Sequence, residues 1–203
     1  AAAAAGVVRV VYTSSSAAIG EASGSVGRED SPHRGSYLSA YERSKHLAER
    51  RVFELSRSLG VDVVAVNPSS VQGPGRATGS ARLLLEVVNG RLPVLVRTTI
   101  SLVDIADCSA GHVLAETRGT PGDRYLLSGA TITTPEAVDL LDRIWGLRRR
   151  VRFAVCCYAD WSLGPSGAGR PVYVVSEQVP ATGAVLALGT EPGKSDFNMT
   201  ALA

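Results

Sequence analysis

The sequence predicts an α/β domain on a mainly parallel sheet, and three observations carry that prediction. Short β-branched runs alternate with segments of helical period. Polar turn clusters stand where the runs end. Capping residues stand where the helical segments begin and stop. Strands that alternate with helices pair in parallel, because each helix carries the chain back across the sheet.

The elements follow in order. Ala1 to Ala5 reads as the end of a helix, with Gly6 as its stop. Val7 to Tyr12 is a β-branched run suited to a buried parallel strand. Thr13-Ser14-Ser15-Ser16 closes it, and residues 17–36 are Gly-, Ser- and Pro-rich loop. From Tyr37 to Leu59 the period is helical through Leu38, Tyr41, Lys45, Ala48, Val52, Leu55 and Leu59, and Gly60 ends it. Val61 to Val66 is a second strand, broken by Asn67-Pro68-Ser69-Ser70, with a turn over Gln72 to Gly75. Ala81 to Val88 reads as helix, Leu92 to Val96 as a short strand, and Asp104 as the cap of a helix to about Thr117. Tyr125 to Leu127 is a strand. Thr133-Thr134-Pro135-Glu136 is a capping box that opens a helix to Trp145, with Gly146 beyond. Past Val155 the patterning weakens, with Gly/Pro-rich chain at 164–171 and apolar islands over 172–203.

Composition narrows the function classes. The chain has 203 residues, which suits one domain or one with an incomplete second. A net charge of +2 and three phenylalanines leave no basic-aromatic signature for nucleic acid. Arg148-Arg149-Arg150 reads as a helix end running into a strand. Three cysteines without paired spacing argue against a disulfide framework or structural zinc, and fit a reducing, cytoplasmic setting. No apolar run is long enough to span a bilayer. His33, His46 and His112 are scattered along the sequence and do not suggest a metal site. No Gly-x-Ser-x-Gly elbow marks a hydrolase.

The residues that suggest chemistry are Tyr41 and Lys45. The chain has two lysines, Lys45 and Lys194, and writes every other basic residue except histidine as arginine. A lysine four residues after a tyrosine on a helix shares its face. Its compact ammonium suits a place beside a phenol, where a planar guanidinium does not. A tyrosine so placed acts as a general acid or base although its free pKa is about 10. The spacing alone is a weak signal, and a solvated helix face is the bland account of it. Its neighbours add weight. In an open parallel sheet ligands gather at the C-terminal strand ends. The serine run and Asn67-Pro68-Ser69-Ser70-Val71 both sit there. The serines alternatively just cap the strand-to-loop turn.

Those segments resemble a known family. Val10 to Gly20, Tyr41-x-x-x-Lys45 and Val66 to Gly75 are similar to the extended short-chain dehydrogenase/reductases. Among these, the NAD-dependent epimerase/dehydratase and dihydroflavonol 4-reductase-like members come nearest. Val103 to Asp107, His112 to Ala115 and Pro121 to Leu127 extend the similarity, which covers roughly residues 1–150.

The resemblance implies a partial doubly wound, Rossmann-like parallel sheet with a small C-terminal substrate-binding part, and an atypical tail over residues 151–203. It implies an NAD- or NADP-dependent oxidoreductase or epimerase acting on a secondary alcohol or ketone. The substrate would be a nucleotide sugar, a flavonoid-like ketone or a steroid-like molecule. Tyr41 would be the acid/base. Lys45 would hold the nicotinamide ribose and depress the Tyr41 pKa. Ser15, with Ser14 second, would hydrogen-bond the substrate oxygen. Pro68 to Val71 would line the nicotinamide pocket. The family's Gly-rich phosphate loop has no counterpart here, since Gly73-x-Gly75-x-x-x-Gly79 has the wrong spacing and setting. The chain thus resembles the C-terminal portion of such an enzyme, with impaired activity. The alternative is a non-catalytic remnant or interaction fragment. Expected partners are the small-molecule substrate and a second copy of the chain, with no nucleic acid and no membrane.

Overall fold

The computed structural model describes residues 1–22, 24–75, 77–92, 94–147, 150–157, 172–175 and 186–188. Its strands are β1 (Arg9–Thr13), β2 (Asp62–Pro68), β3 (Ser70–Gln72), β4 (Val94–Arg97), β5 (Thr99–Asp104), β6 (Arg124–Leu127), β7 (Ala130–Thr133), β8 (Arg152–Cys157), β9 (Val172–Val175) and β10 (Leu186–Leu188). The helices are α1 (Ala40–Leu59), α2 (Ser80–Val88), α3 (Ile105–Arg118) and α4 (Thr134–Trp145). The chain divides into two compact units, Ala1–Ala81 with Ser101–Thr131 and Arg82–Ile100 with Ile132–Ala203.

The first unit is the α/β arrangement the sequence predicts. Its main sheet has the order β1-β2-β6, and both pairs are parallel, with Val11 opposite Val64 and Val66 opposite Tyr125. Alternation along β2 assigns its two faces. Val64 and Val66 point to one side, where they form a core with Ala115 of α3, Val11, Tyr125 and Leu127. Asn67 points to the other side, where it meets Glu49 of α1. Helices therefore cover both faces, and β1–α1–β2 is a parallel crossover. Gly119, just past α3, lies so near the sheet that a Cβ would fall 2.4 Å from Ala115 O and 2.8 Å from Val64 Cγ1. That close approach is the reason for glycine there.

Several expectations shift. The helix starts at Ala40 rather than Tyr37, because Ser39 takes an extended conformation and its side chain accepts from Glu42 N. β2 runs on through Asn67 and Pro68, where a break is expected, because Leu126 and Leu127 of β6 pair opposite them. A short strand, β3, forms between the expected break at Asn67 to Ser70 and the expected turn at Gln72 to Gly75, paired in parallel with Leu102 to Asp104. β1 is half-buried rather than buried. It stands at its sheet's edge with β2 as its neighbour. Asp104 caps α3 through Ala106 N, and both halves of the Thr133/Glu136 capping box form.

In the second unit α4 packs its apolar stripe on α2 and β4. Val87, Leu95 and Val138 form the core, with Leu92, Leu141, Leu147, Val151 and Phe153 around it. β8 pairs in parallel with β4, and β9 and β10 add antiparallel strands. Both late apolar islands thus supply strands, at Val172–Val175 and Leu186–Leu188. The Gly/Pro-rich stretch 164–171 lies outside the described residues, as do the side chains of Cys156 and Cys157.

Candidate active site

The C-terminal ends of β1 and β2 carry the groups that the sequence singles out. After β1 the chain enters a 3-10 turn over Ser16–Ala18, capped by Ser15, whose Oγ accepts from Ala17 N at 3.2 Å. The capping account of the serines is therefore met by Ser15 itself. Acceptance uses a lone pair and leaves the Ser15 hydroxyl hydrogen available to a ligand oxygen. Ser14 and Ser15 are both buried, and Ser14 N donates to Val66 O at 2.8 Å. Pro68 ends β2 buried, and Val71 is half-buried in β3.

Tyr41 and Lys45 sit one turn apart on α1, with Lys45 Nζ 5.9 Å from the Tyr41 ring centroid. Tyr41 is 58% exposed, so its phenol is open to a ligand. Their helix is tied to the serine turn at two places. His46 bonds Ala18 O through Nδ1 at 2.9 Å. Asn67 Nδ2 donates to Ser15 O at 2.9 Å and to Glu49 Oε2 of α1 at 2.6 Å. The structure thus brings together the elements that carry Ser15, Tyr41, Lys45 and Pro68.

The inner face of α1 differs from the sequence expectation. The apolar stripe leaves Leu38, Tyr41, Leu55 and Leu59 exposed, while Glu42 and Glu49 are buried. Each buried carboxylate has partners. Glu42 pairs with Arg34 and accepts from Leu38 N at 2.8 Å. Glu49 accepts from Arg124 Nη1 at 3.1 Å. The Glu49 charge adds to burial in raising the pKa of Tyr12. Sequence reasoning misses Glu49 because a charged residue is usually assigned to the solvent side. Its position four residues after Lys45 is the available signal.

His33 and His46 are distant in sequence but their ring centroids lie 4.0 Å apart, with the Tyr37 ring 5.0 Å from that of His33. Gly20 makes room for His33, since a Cβ there would fall 2.2 Å from its ring. His33 and His46, with Glu29, Asp30, Glu49, Arg50, Phe53 and Arg124, border a cavity of about 700 Å³. Gly35 N donates to His33 Nδ1, so the neutral ring carries its proton on Nε2. Burial first, then His46, Arg34 and Arg124, holds the His33 pKa below its usual 6.5, against an opposing pull from Glu42. The folded state therefore disfavours the protonated ring. The stability this gives is complete above about pH 6.5 and is lost as pH falls below it. Urea midpoints at pH 7.5 and 5.5 should differ more for the wild type than for His33→Phe. Equal differences would show that His33 does not titrate with folding.

His112 is structural: its Nδ1 donates to Cys108 O at 2.7 Å and its Nε2 meets Thr13 Oγ1 at 3.0 Å. Among the described residues no three histidine, cysteine or acidic side chains converge as metal ligands. None of the described helices is long and apolar enough to cross a membrane. Gly73 is a packing glycine, because a Cβ on it would stand 2.4 Å from Ile105 Cγ2.

Comparison with known proteins gives the family and the fold. The model of the NAD dependent epimerase/dehydratase family matches residues 1–127. A putative dihydroflavonol 4-reductase of Synechocystis sp. is 37% identical over 152 residues, covering 70% of this chain and 44% of that protein. Sterol demethylase protein B of Methylococcus capsulatus is 33% identical over 156 residues, covering 74% of this chain and 46% of that protein. The crystal structure of gox2253 superposes with a TM-score of 0.70 at 32% identity over 75% of this chain and 47% of that one. The NAD complex of the Thermus thermophilus UDP-glucose 4-epimerase superposes with a TM-score of 0.63 at 24% identity, over 74% of this chain and 52% of that one, a likeness of fold. The chain spans about half the length of these proteins.

Proposed function

The chain belongs to the NAD dependent epimerase/dehydratase family, and within it we propose that this chain carries the acid–base part of an NAD- or NADP-dependent oxidoreductase or epimerase. One observation carries the reading. Tyr41 and Lys45 share an open face of a helix that is fastened to the capped Ser15 turn through Asn67 and Glu49. The substrate is a secondary alcohol or ketone of the nucleotide-sugar, flavonoid-like or steroid-like class. Its support is what similar proteins are named for, a dihydroflavonol 4-reductase and a 3 beta-hydroxysteroid dehydrogenase among them.

The residues present fit one end of a nicotinamide cofactor. Ser14 Oγ, Asn67 Oδ1 and Ser69 Oγ are buried at the strand ends with no hydrogen-bond partner among the described residues. Buried polar atoms without partners are costly unless a ligand meets them. Lys45 would hold the ribose, and the chain from Pro68 to Val71 would line the nicotinamide. The pyrophosphate end has no cradle among the described residues. Bound nicotinamide supplies hydride chemistry. The chain's own residues handle the proton. Tyr41 Oη delivers it to a substrate carbonyl oxygen in reduction and takes it from the carbinol in oxidation. The Lys45 ammonium stands beside the phenol, and Ser15 Oγ–H bonds the same substrate oxygen.

A non-catalytic binding fragment is the second reading, favoured by the lack of a phosphate cradle among the described residues. NAD(H) and NADP(H) are expected to bind weaker than micromolar, since the helix N-terminus and glycine loop that hold a pyrophosphate have no counterpart among them. A fluorescence titration giving micromolar affinity would overturn that expectation. At millimolar [4-²H]NADH or NADPH, the deuterium label should reach the carbinol carbon of a ketone in a panel spanning the three substrate classes. No transfer above that of Tyr41→Phe would favour the binding reading. We place the chain in the cytoplasm, on its sparse cysteines. We also infer a homodimer, on the exposed leucines Leu47, Leu55 and Leu59 of α1.

A further inference from the structure

Asn67 is fully buried, yet it is placed by hydrogen bonds rather than by packing alone. Its Nδ2 donates both hydrogens, one to Ser15 O at 2.9 Å and one to Glu49 Oε2 at 2.6 Å. Turning the carboxamide over would set its oxygen against two acceptors in a buried place, so the orientation is fixed by its partners. Glu49 is held in turn, because its Oε1 accepts from Arg124 Nη1 at 3.1 Å, and Arg124 Nε donates to Glu29 O at 2.7 Å. A charge-assisted chain therefore runs from β6, across α1 and β2, to the serine turn.

Its end point is one residue with two duties. The Ser15 carbonyl accepts from Ala18 N at 2.9 Å as well as from Asn67. The Ser15 hydroxyl accepts from Ala17 N at 3.2 Å. Carbonyl and hydroxyl belong to one tight turn, so a displacement of the first moves the second. The same Glu49 that orients Asn67 lies one turn along α1 from Lys45 and two from Tyr41.

We propose that Asn67, oriented by Glu49, is a positioning residue that sets where Ser15 Oγ stands relative to the α1 face bearing Tyr41 and Lys45. This rests on the acid–base reading of that site. Aspartate cannot replace Asn67, because a carboxylate offers no hydrogen to Ser15 O and repels Glu49. Leucine keeps the volume but gives up both bonds.

The test has three readouts. In the wild-type chain, NMR should show a scalar coupling across the hydrogen bond from Asn67 Nδ2 to the Ser15 carbonyl carbon. Its absence overturns the proposal even where no variant folds. In Asn67→Leu and in Glu49→Gln, amide exchange at Ala17 and Ala18 should rise roughly tenfold relative to exchange at Ala65 within β2, the effect of losing one buried hydrogen bond. A merely structural role would speed all three together and leave the ratio unchanged, which would sink the idea. Where turnover is measured at saturating cofactor, kcat should fall about tenfold in Asn67→Leu with the substrate KM unchanged, and a rise confined to the substrate KM counts against positioning. The exchange ratio needs no activity. An enzyme indifferent to Tyr41→Phe therefore refutes the acid–base reading by itself, and a flat ratio in an enzyme that depends on Tyr41 refutes only the role of Asn67.

Discussion

With the chain completed by the N-terminal half of an intact relative, Tyr41→Phe is expected to lower turnover by about 10²–10⁴-fold, the range for loss of one acid/base group. The substitution keeps the ring that stands 5.9 Å from Lys45 Nζ and removes only the transferable proton. Tyr41 is exposed, and no buried partner is stranded by the change, so the folded state should be unaffected. Rate and stability are therefore separable here. Lys45→Arg should also be damaging, because a broad guanidinium does not replace a compact ammonium beside a phenol. Steady-state rates with the deuterated cofactor, read beside a denaturation curve for each variant, check this. Near-normal turnover in Tyr41→Phe would move the acid/base role to another group.

The largest stability effect is expected at Arg124→Met. Arg124 reaches Glu49 through Nη1 and the backbone oxygens of Glu29 and Ser31 through Nε and Nη2. Methionine fills much of the space but leaves a buried carboxylate with Asn67 as its one remaining donor among the described residues. Stranding a buried charge costs about 3 kcal/mol, which for a chain of this size lowers Tm by roughly 6–12 °C. Arg124→Lys should recover only part, since one ammonium cannot meet acceptors spread over a planar fork. Calorimetry on the two variants decides it, and a loss below about 1 kcal/mol would place Arg124 with ordinary surface pairs.

Local devices are legible in the sequence. Gly60 and Gly146 end their helices in left-handed conformations, and Asp104 and Thr133 cap theirs as their neighbours suggest. These features depend on a few adjacent residues. The misses depend on partners far along the chain. β3 is three residues long and is a strand only because Leu102 to Asp104 pair with it. β2 keeps Asn67 and Pro68 because β6 lies beside them. The inner face of α1 escapes a sequence reading for the same reason. Glu42 and Glu49 are tolerable inside because Arg34, Leu38 N, Arg124 and Asn67 meet them. No helical period announces such partners. Ser15, Tyr41 and Lys45 are legible as types at a spacing. The chain of bonds that fixes the elements bearing them is not, since its links are 18, 52 and 75 residues apart.

Those separations also lead to an expected order of events as the chain folds. The β1–α1–β2 crossover closes when residue 67 is in place, and Glu49 is then drawn inside with Asn67 as its donor. Arg124 arrives 75 residues after Glu49. Until then the Glu49 carboxylate has Asn67 and water to solvate it but no cation, so the crossover is expected to stay loose however well its strands pair. Docking of β6 is thus expected to be the late, committing step, and removing Arg124 should speed unfolding more than it slows the first collapse.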